Sequence, residues 1–372
     1  MEKQDREALS PHQLDPNMKI ENGTTDGLTW YSPLKEPFRI SGLAWFEEER
    51  IYRRLPVSPS YNIPTPVDNL ANCTSGGQIH FRTNSRNISV RIRLAGGSSM
   101  YHMPATGECG MDAYFGGPGH WLFAGTASFK SGEPEYESRL FLCDSSEWRS
   151  FILNMPLYKG VKEIEIGLDQ GAEVLPPEAY VSDKKIIVYG TSITQGGCAA
   201  RPGMSYTNIL SRRIHQEFIN LGFSGNGKGE PELAHLITQI DNPACFIIDY
   251  ESNSGGTEAY RKTLPEFIRI LRAAYEEVPI ILVSRFPYAA EAYKPDLLQG
   301  RLERRDFQSD LIQKLTEAGD HRLTFVDGAS LMSSRTDEAT VDGVHPTDFG
   351  FMQMADNLEP VLRQVLASVE ND

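Results

Sequence analysis

The hydrophobic rhythm of this 372-residue chain changes once, near residue 183, and that change limits the fold more than any other feature. Before it, apolar and polar residues alternate in short runs. These are Gln78-Ile79-His80-Phe81-Arg82, Ile88-Ser89-Val90-Arg91-Ile92-Arg93-Leu94 and, with one slip, Val161-Lys162-Glu163-Ile164-Glu165-Ile166. A period of two turns one face of a strand inward and the other to solvent. Ala95-Gly96-Gly97-Ser98 and Gly116-Gly117-Pro118-Gly119 are turn sequences between such runs. Residues 37–180 are therefore expected to form an all-β sandwich, jelly-roll-like in type. After residue 183 the apolar runs at 185–189, 244–248, 280–283 and 323–326 are continuous, as in parallel strands buried on both faces. Helical patterns lie between them. Glu258 to Tyr275 places Leu264, Phe267, Ile268, Leu271 and Ala274 on one face, and Leu297 to Leu315 is charged and amphipathic. Residues 181–372 are expected to form a doubly wound, flavodoxin-like α/β domain. Residues 1–36 read as an irregular lead-in, and Glu173 to Glu178, with Pro176-Pro177, as a short stiff link.

Within the second half, Tyr189-Gly190-Thr191-Ser192-Ile193-Thr194-Gln195-Gly196-Gly197 follows the apolar run Lys185 to Val188 and precedes the helical Met204 to Leu210. Ser192 thus falls where a strand hands over to a helix, at the sheet edge where α/β proteins build their sites. Serine also caps helices, so the position alone is ambiguous. Asp342-Gly343-Val344-His345-Pro346 comes near the end of the chain. An acid and a histidine three positions apart in a turn can meet, and Pro346 biases His345 towards extended geometry. A hydroxyl needs an adjacent base to become a nucleophile. The order Ser…Asp…His is the layout of a nucleophilic hydrolase, with Ser192 as nucleophile, His345 as base and Asp342 orienting it. Three groups are candidate oxyanion donors: the Ser192 N–H, the Gly225 N–H and the Asn253 side-chain amide. Asn226 competes with Gly225. Arg285 either binds an anionic group of a substrate or pairs with Asp249 or Glu251. Tyr250 and Phe286 are candidate substrate contacts, against ordinary packing, as is Tyr288.

These segments resemble the SGNH (GDSL-like) hydrolases in four ordered blocks. Gly190 to Gly196 resembles the serine block, with Thr191 where Asp usually stands. Asn220-Leu221-Gly222-Phe223-Ser224-Gly225-Asn226 resembles the glycine block, and Asp249-Tyr250-Glu251-Ser252-Asn253 is similar to a divergent asparagine block. Asp342 to His345 resembles the final one. The resemblance covers about residues 183–367. Gly110-Met111-Asp112-Ala113-Tyr114-Phe115, ahead of Trp121 to Gly125, resembles the β-domain that precedes the catalytic domain in some members. The family implies an esterase that works through an acyl-enzyme without metal or organic cofactor. Removal of a small acyl group, such as acetyl, from a carbohydrate or other hydroxylated small molecule is expected. An acyltransferase using the same triad is the nearest alternative. A phosphate- or nucleotide-binding protein, with its cradle at Thr191 to Thr194, is an alternative of another class.

A net charge of −14 argues against nucleic acid or an anionic membrane as partner. Cys73, Cys109, Cys143, Cys198 and Cys245 form no C-x-x-C pair, so neither a disulfide framework nor a zinc site is indicated. The first residues carry no signal-peptide core, and no run approaches the ~18 apolar residues of a membrane span. A cytoplasmic protein is expected. The histidines of the β half, His80, His102 and His120, bear on chemistry only if a loop leans over the site. A homo-oligomer is left open.

Overall fold

The computed structural model describes Leu14 and Asp15, residues 27–332 and residues 336–370. Among the described residues the first half holds ten strands: β1 (Leu28–Tyr31), β2 (Arg39–Ser41), β3 (Gln78–Thr83), β4 (Asn87–Leu94), β5 (Asp112–Gly117), β6 (His120–Thr126), β7 (Glu135–Leu142), β8 (Arg149–Asn154), β9 (Val161–Asp169) and β10 (Val174–Leu175). They form two antiparallel sheets, one ordered β1-β9-β4-β7 and the other β10-β3-β8-β5-β6 with β2 on β3. The alternation read from the sequence has its cause here. Ile88, Val90, Ile92 and Leu94 of one sheet pack in a single cluster with Ile79, Phe81, Phe151 and Leu153 of the other.

Two boundaries differ from expectation. β1 lies before residue 37 and pairs Leu28 to Tyr31 with Asp169 to Ile166, because its short Leu-Thr-Trp-Tyr run carries too little pattern to stand out. The rest of the expected lead-in falls mostly outside the described residues. The Glu173 to Glu178 link also contains β10, which pairs Val174 and Leu175 with Thr83 and Arg82.

The second half is a five-stranded parallel sheet: β11 (Lys185–Gly190), β12 (Phe218–Gly222), β13 (Pro243–Asp249), β14 (Ile280–Val283) and β15 (Leu323–Val326). Its order is β12-β11-β13-β14-β15, the flavodoxin-like arrangement expected from the alternation of strands and helices. Both faces are covered, which explains the continuous apolar runs. Val188, Ile247 and Ile281 pack with helices Tyr206–Ile214 and Asp348–Glu370. Ile187, Tyr189, Phe246 and Ile248 pack with helices Pro231–Ile237 and Thr257–Ala274.

The halves share structure. Leu55, Ile63, Val67 and Ala71 belong to the second of those core clusters. Arg54, fully buried, donates to Leu70 and Cys73 carbonyls on its own side and to Asn220 and Gly222 carbonyls of β12. Asp112, in the Gly-x-Asp-x-Tyr segment, meets Arg201 Nη1 at 2.7 Å and the Gly203 N–H at 2.9 Å. A buried carboxylate needs such partners, so the segment pins the β half to the loop after Ser192. No helix among the described residues is long and apolar enough to cross a membrane.

Candidate active site

The serine elbow is built from its neighbours. A Cβ on Gly190 would lie 2.1 Å from Thr194 Oγ1 and 2.6 Å from the Asp249 carbonyl, so the strand end has room for hydrogen alone. Thr191 is extended and caps the next turn, its hydroxyl accepting from the Ile193 N–H at 3.3 Å. Ser192 opens a single helical turn, Ser192–Gln195, which Gly196 closes at φ +96°. The hydroxyl therefore stands at the C-terminal edge of the sheet, and Ser192 is 8% exposed.

The acid and the base come from one tight loop. A bridge between Thr340 and Pro346 closes it, and Gly343 turns it at φ +82°. Asp342 Oδ1 accepts from the Val344 N–H at 3.0 Å and the His345 N–H at 2.7 Å. Oδ2 is left for His345 Nδ1 at 2.8 Å. His345 Nε2 lies 2.9 Å from Ser192 Oγ. A proton on Nδ1, accepted by the carboxylate, leaves Nε2 bare to accept from the hydroxyl. Burial alone would raise the Asp342 carboxyl. The His345 amide and ring, together with the Val344 amide, outweigh it and hold the group below the usual carboxylate range.

The glycine and asparagine blocks converge beside this relay. The Ser224 N–H donates to Gln195 Oε1 at 2.9 Å, tying the glycine loop to the elbow. Gly225 holds φ +68°, and a Cβ there would meet nothing within 4 Å. The Asn253 amide lies on the same turn. With its oxygen facing that turn it accepts from the Gly225 N–H at 3.2 Å and the Asn226 N–H at 3.3 Å. With the amide rotated, its nitrogen lies 3.5 Å from the Phe223 carbonyl. The first orientation satisfies more donors. Gly225 and Asn253 are thus in contact.

Of the four candidate substrate contacts, Tyr250, Phe286 and Arg285 are interior groups, and Tyr288 is half-buried with its hydroxyl 2.8 Å from Ser252 Oγ. Tyr250 is buried against Tyr189, Tyr260 and Phe267, its hydroxyl 2.9 Å from Thr263 Oγ1. Phe286 is buried in the core. The Arg285 side chain is 2% exposed, with Nη2 2.7 Å from Glu291 Oε1 and Nε 3.9 Å from Glu251 Oε1. Its guanidinium sits 3.9 Å from the Tyr288 ring centroid. The physical reason is Glu251, a buried carboxylate that gathers Arg285, Arg304 and Gln308 around it. Of the two readings for Arg285, the ion pair is the one formed. Asp249 does not pair with it. Its carboxyl lies 3.5 Å from the Thr194 hydroxyl, and burial, with the charge of Glu251, pushes it up to about 8.

The β half supplies two residues at the site, Tyr158, which the sequence did not single out, and His102, which it named only for the case of a loop leaning over the site. The Tyr158 hydroxyl donates to the Ser192 carbonyl at 3.3 Å. The loop before Met103 leans over the site, and the His102 ring stands edge-on to His345 at 5.6 Å between centroids. Glu108 anchors that loop by accepting from the Ser99 and Met100 N–H groups at 3.0 Å. The sequence signal for such a loop was confined to Gly96-Gly97.

Residues 183–363 match the GDSL-like lipase/acylhydrolase family, and residues 28–174 match the N-terminus of SGNH hydrolase-type esterases. The chain is a two-domain member of the SGNH, GDSL-like hydrolases. A Bacteroides ovatus protein described as a GDSL-like lipase shares 28% identity and superposes with a TM-score of 0.83, over 91% of this chain and 98% of that one. A salicylyl-acyltransferase from a tetracycline biosynthetic pathway is 18% identical, with a TM-score of 0.70 over 93% and 98% of the chains. A family two carbohydrate esterase from Cellvibrio japonicus is 15% identical, with a TM-score of 0.57 over 91% and 98%. These last two likenesses concern the fold. No curated protein sequence matches this SGNH-family chain.

Proposed function

We propose that the protein is a serine esterase that removes a small acyl group, such as acetyl, from a carbohydrate or another hydroxylated small molecule. The observation that carries this reading is the unbroken relay from Ser192 Oγ to His345 Nε2 at 2.9 Å and from His345 Nδ1 to Asp342 Oδ2 at 2.8 Å. Ser192 Oγ attacks the ester carbonyl while Nε2 takes its proton. Asp342 stabilises the imidazolium and fixes its tautomer. The Ser192 N–H and the Asn253 side-chain N–H meet the oxyanion, the Gly225 and Asn226 N–H groups holding the Asn253 oxygen so that its nitrogen is free to donate. As the tetrahedral centre collapses, the imidazolium gives its proton to the departing alkoxide, which leaves as the alcohol. Water, deprotonated in turn by His345, then releases the acid from Ser192.

An alcohol in place of that water would make the enzyme an acyltransferase, the activity named for one protein of the same two-domain fold. A phosphate cradle at Thr191 to Thr194 is less well supported. It has no use for the His345–Asp342 pair, and the Thr194 hydroxyl is already 3.1 Å from Tyr206 Oη. The test is acid release from acetylated sugars and simple acetyl esters, with and without added alcohols. Free acetate formed at the same rate with or without alcohols supports the esterase. Acyl transfer to the alcohol in preference to water contradicts it. No turnover of any ester would sink the hydrolytic reading altogether.

A further inference from the structure

The leaning loop brings more than an aromatic edge to the site. One ring nitrogen of His102, one of His345 and the Cys198 thiol lie within 4.8 Å of one another. His102 Nδ1 is buried without a hydrogen-bond partner. Buried polar atoms are satisfied as a rule, and an exception calls for an explanation such as an ion. The Cys198 thiol is free and buried. Cys198 itself holds φ +75°, a left-handed conformation that favours glycine. The three groups come from different parts of the chain: the β-half loop, the loop after the serine elbow, and the Asp-x-x-His loop.

We infer that His102, Cys198 and His345 form a binding site for a thiophilic divalent metal ion, zinc above all, and that occupancy inhibits the enzyme by capturing the base. The Cys198 thiol gives up its proton to solvent as the metal binds, and two imidazoles and a thiolate suit zinc and its neighbours and do not suit calcium or magnesium, which take oxygen ligands. In a tetrahedral zinc site with these ligands, donor atoms stand about 3.3–3.8 Å apart. Closing from at most 4.8 Å takes a shift of about 1 Å, within the reach of side-chain rotation. The metal bonds through a nitrogen lone pair of His345. If that nitrogen is Nε2, the metal displaces the Ser192 hydroxyl; if Nδ1, it displaces Asp342 and imposes the wrong tautomer. In both cases the relay is broken and Ser192 loses its base. The inhibitory consequence rests on the esterase reading; the binding itself does not.

Cobalt(II) separates the two. Added to the Ser192→Ala protein, it should give tetrahedral visible bands and a thiolate-to-cobalt charge-transfer absorption. The charge-transfer band should vanish in Ser192→Ala with Cys198→Ser, and His102→Ala should weaken cobalt binding at least tenfold. In the otherwise unaltered enzyme, zinc should inhibit ester hydrolysis, with reversal by EDTA. His102→Ala should need at least tenfold more zinc for half inhibition, each inhibition curve being read relative to that variant's own metal-free rate. A cobalt spectrum without sulfur character, or zinc inhibition unchanged in both His102→Ala and Cys198→Ser, would overturn the site. An intact sulfur–cobalt band in a protein that hydrolyses no ester would uphold the site and contradict the esterase.

Discussion

Two groups of ionisable side chains lie beyond the C-terminal ends of the parallel strands. Ser192, Asp342 and His345 form an open relay, the Asp342 and His345 side chains 27% and 22% exposed. Glu251, Arg285, Glu291, Arg301 and Arg304 form a buried one, in which each carboxylate meets at least two guanidinium groups. The residue types are equally suggestive of chemistry in both. The difference lies in what each polar atom has left to do. In the buried cluster the charges are spent on one another, holding the loops after β13 and β14 in place. In the relay, Asp342 uses one oxygen to fix its own loop and the other to orient a base whose second nitrogen faces the Ser192 hydroxyl. Charge at a sheet edge marks a site when a proton can still move along it.

That contrast predicts catalytic damage from one group and structural damage from the other. The largest effect should come from His345→Ala, which should lower kcat by several orders of magnitude without lowering the melting temperature appreciably. Asp342→Asn should be milder by about a hundredfold, since the acid orients and stabilises but transfers no proton. Rates at or above a tenth of the parent value for His345→Ala would break the comparison. Glu251→Gln should act in the opposite way. Leaving Arg304 uncompensated, and Arg285 with Glu291 alone, should cost about 3–5 kcal/mol of stability, read by denaturant unfolding, while kcat per folded molecule changes severalfold at most. A stable but inactive Glu251→Gln protein would move that cluster into the reaction.

Two smaller effects sharpen the boundary between the groups. Tyr158→Phe removes the hydroxyl that holds the Ser192 carbonyl. A hydrogen bond of this kind contributes about 1 kcal/mol, so kcat should fall about fivefold with KM little changed; an unchanged kcat would show that the elbow needs no support from the β half. Asp249 sits between the two clusters. Its pKa is about 8 in the folded protein against about 3.9 unfolded, so between those values the folded chain keeps a proton that the unfolded chain has released. Its contribution to stability therefore falls as pH rises through that window and is lost above about 8. Asp249→Asn should flatten the decline in melting temperature from pH 6 to pH 8, and an unaltered slope would place the titrating group elsewhere.

Much of this was legible in the chain. The change of rhythm near residue 183 separates the sandwich from the parallel sheet, because strands buried on one face alternate and strands buried on both do not. The Ser192 elbow and the Asp342–His345 loop were legible because short-range geometry alone, a strand end and a three-residue turn, builds them. Arg285, Tyr250 and Phe286 were not, since pattern shows that they follow strands and says nothing of which way they then turn. Their burial is set by Glu251 and by aromatic neighbours distant in sequence. Tyr158 and Cys198 escaped, and His102 stood only as a conditional candidate, for a related reason. Their place at the site depends on how the two halves dock, through contacts such as Asp112 with Arg201 that no local periodicity encodes.

The central claim is that Ser192 is a nucleophile made reactive by His345. The direct measurement is reaction of the whole protein with a fluorophosphonate, followed by peptide mapping. The account predicts a single adduct on Ser192 that fails to form in His345→Ala. An adduct on another residue, or labelling of Ser192 at an undiminished rate without His345, would contradict it.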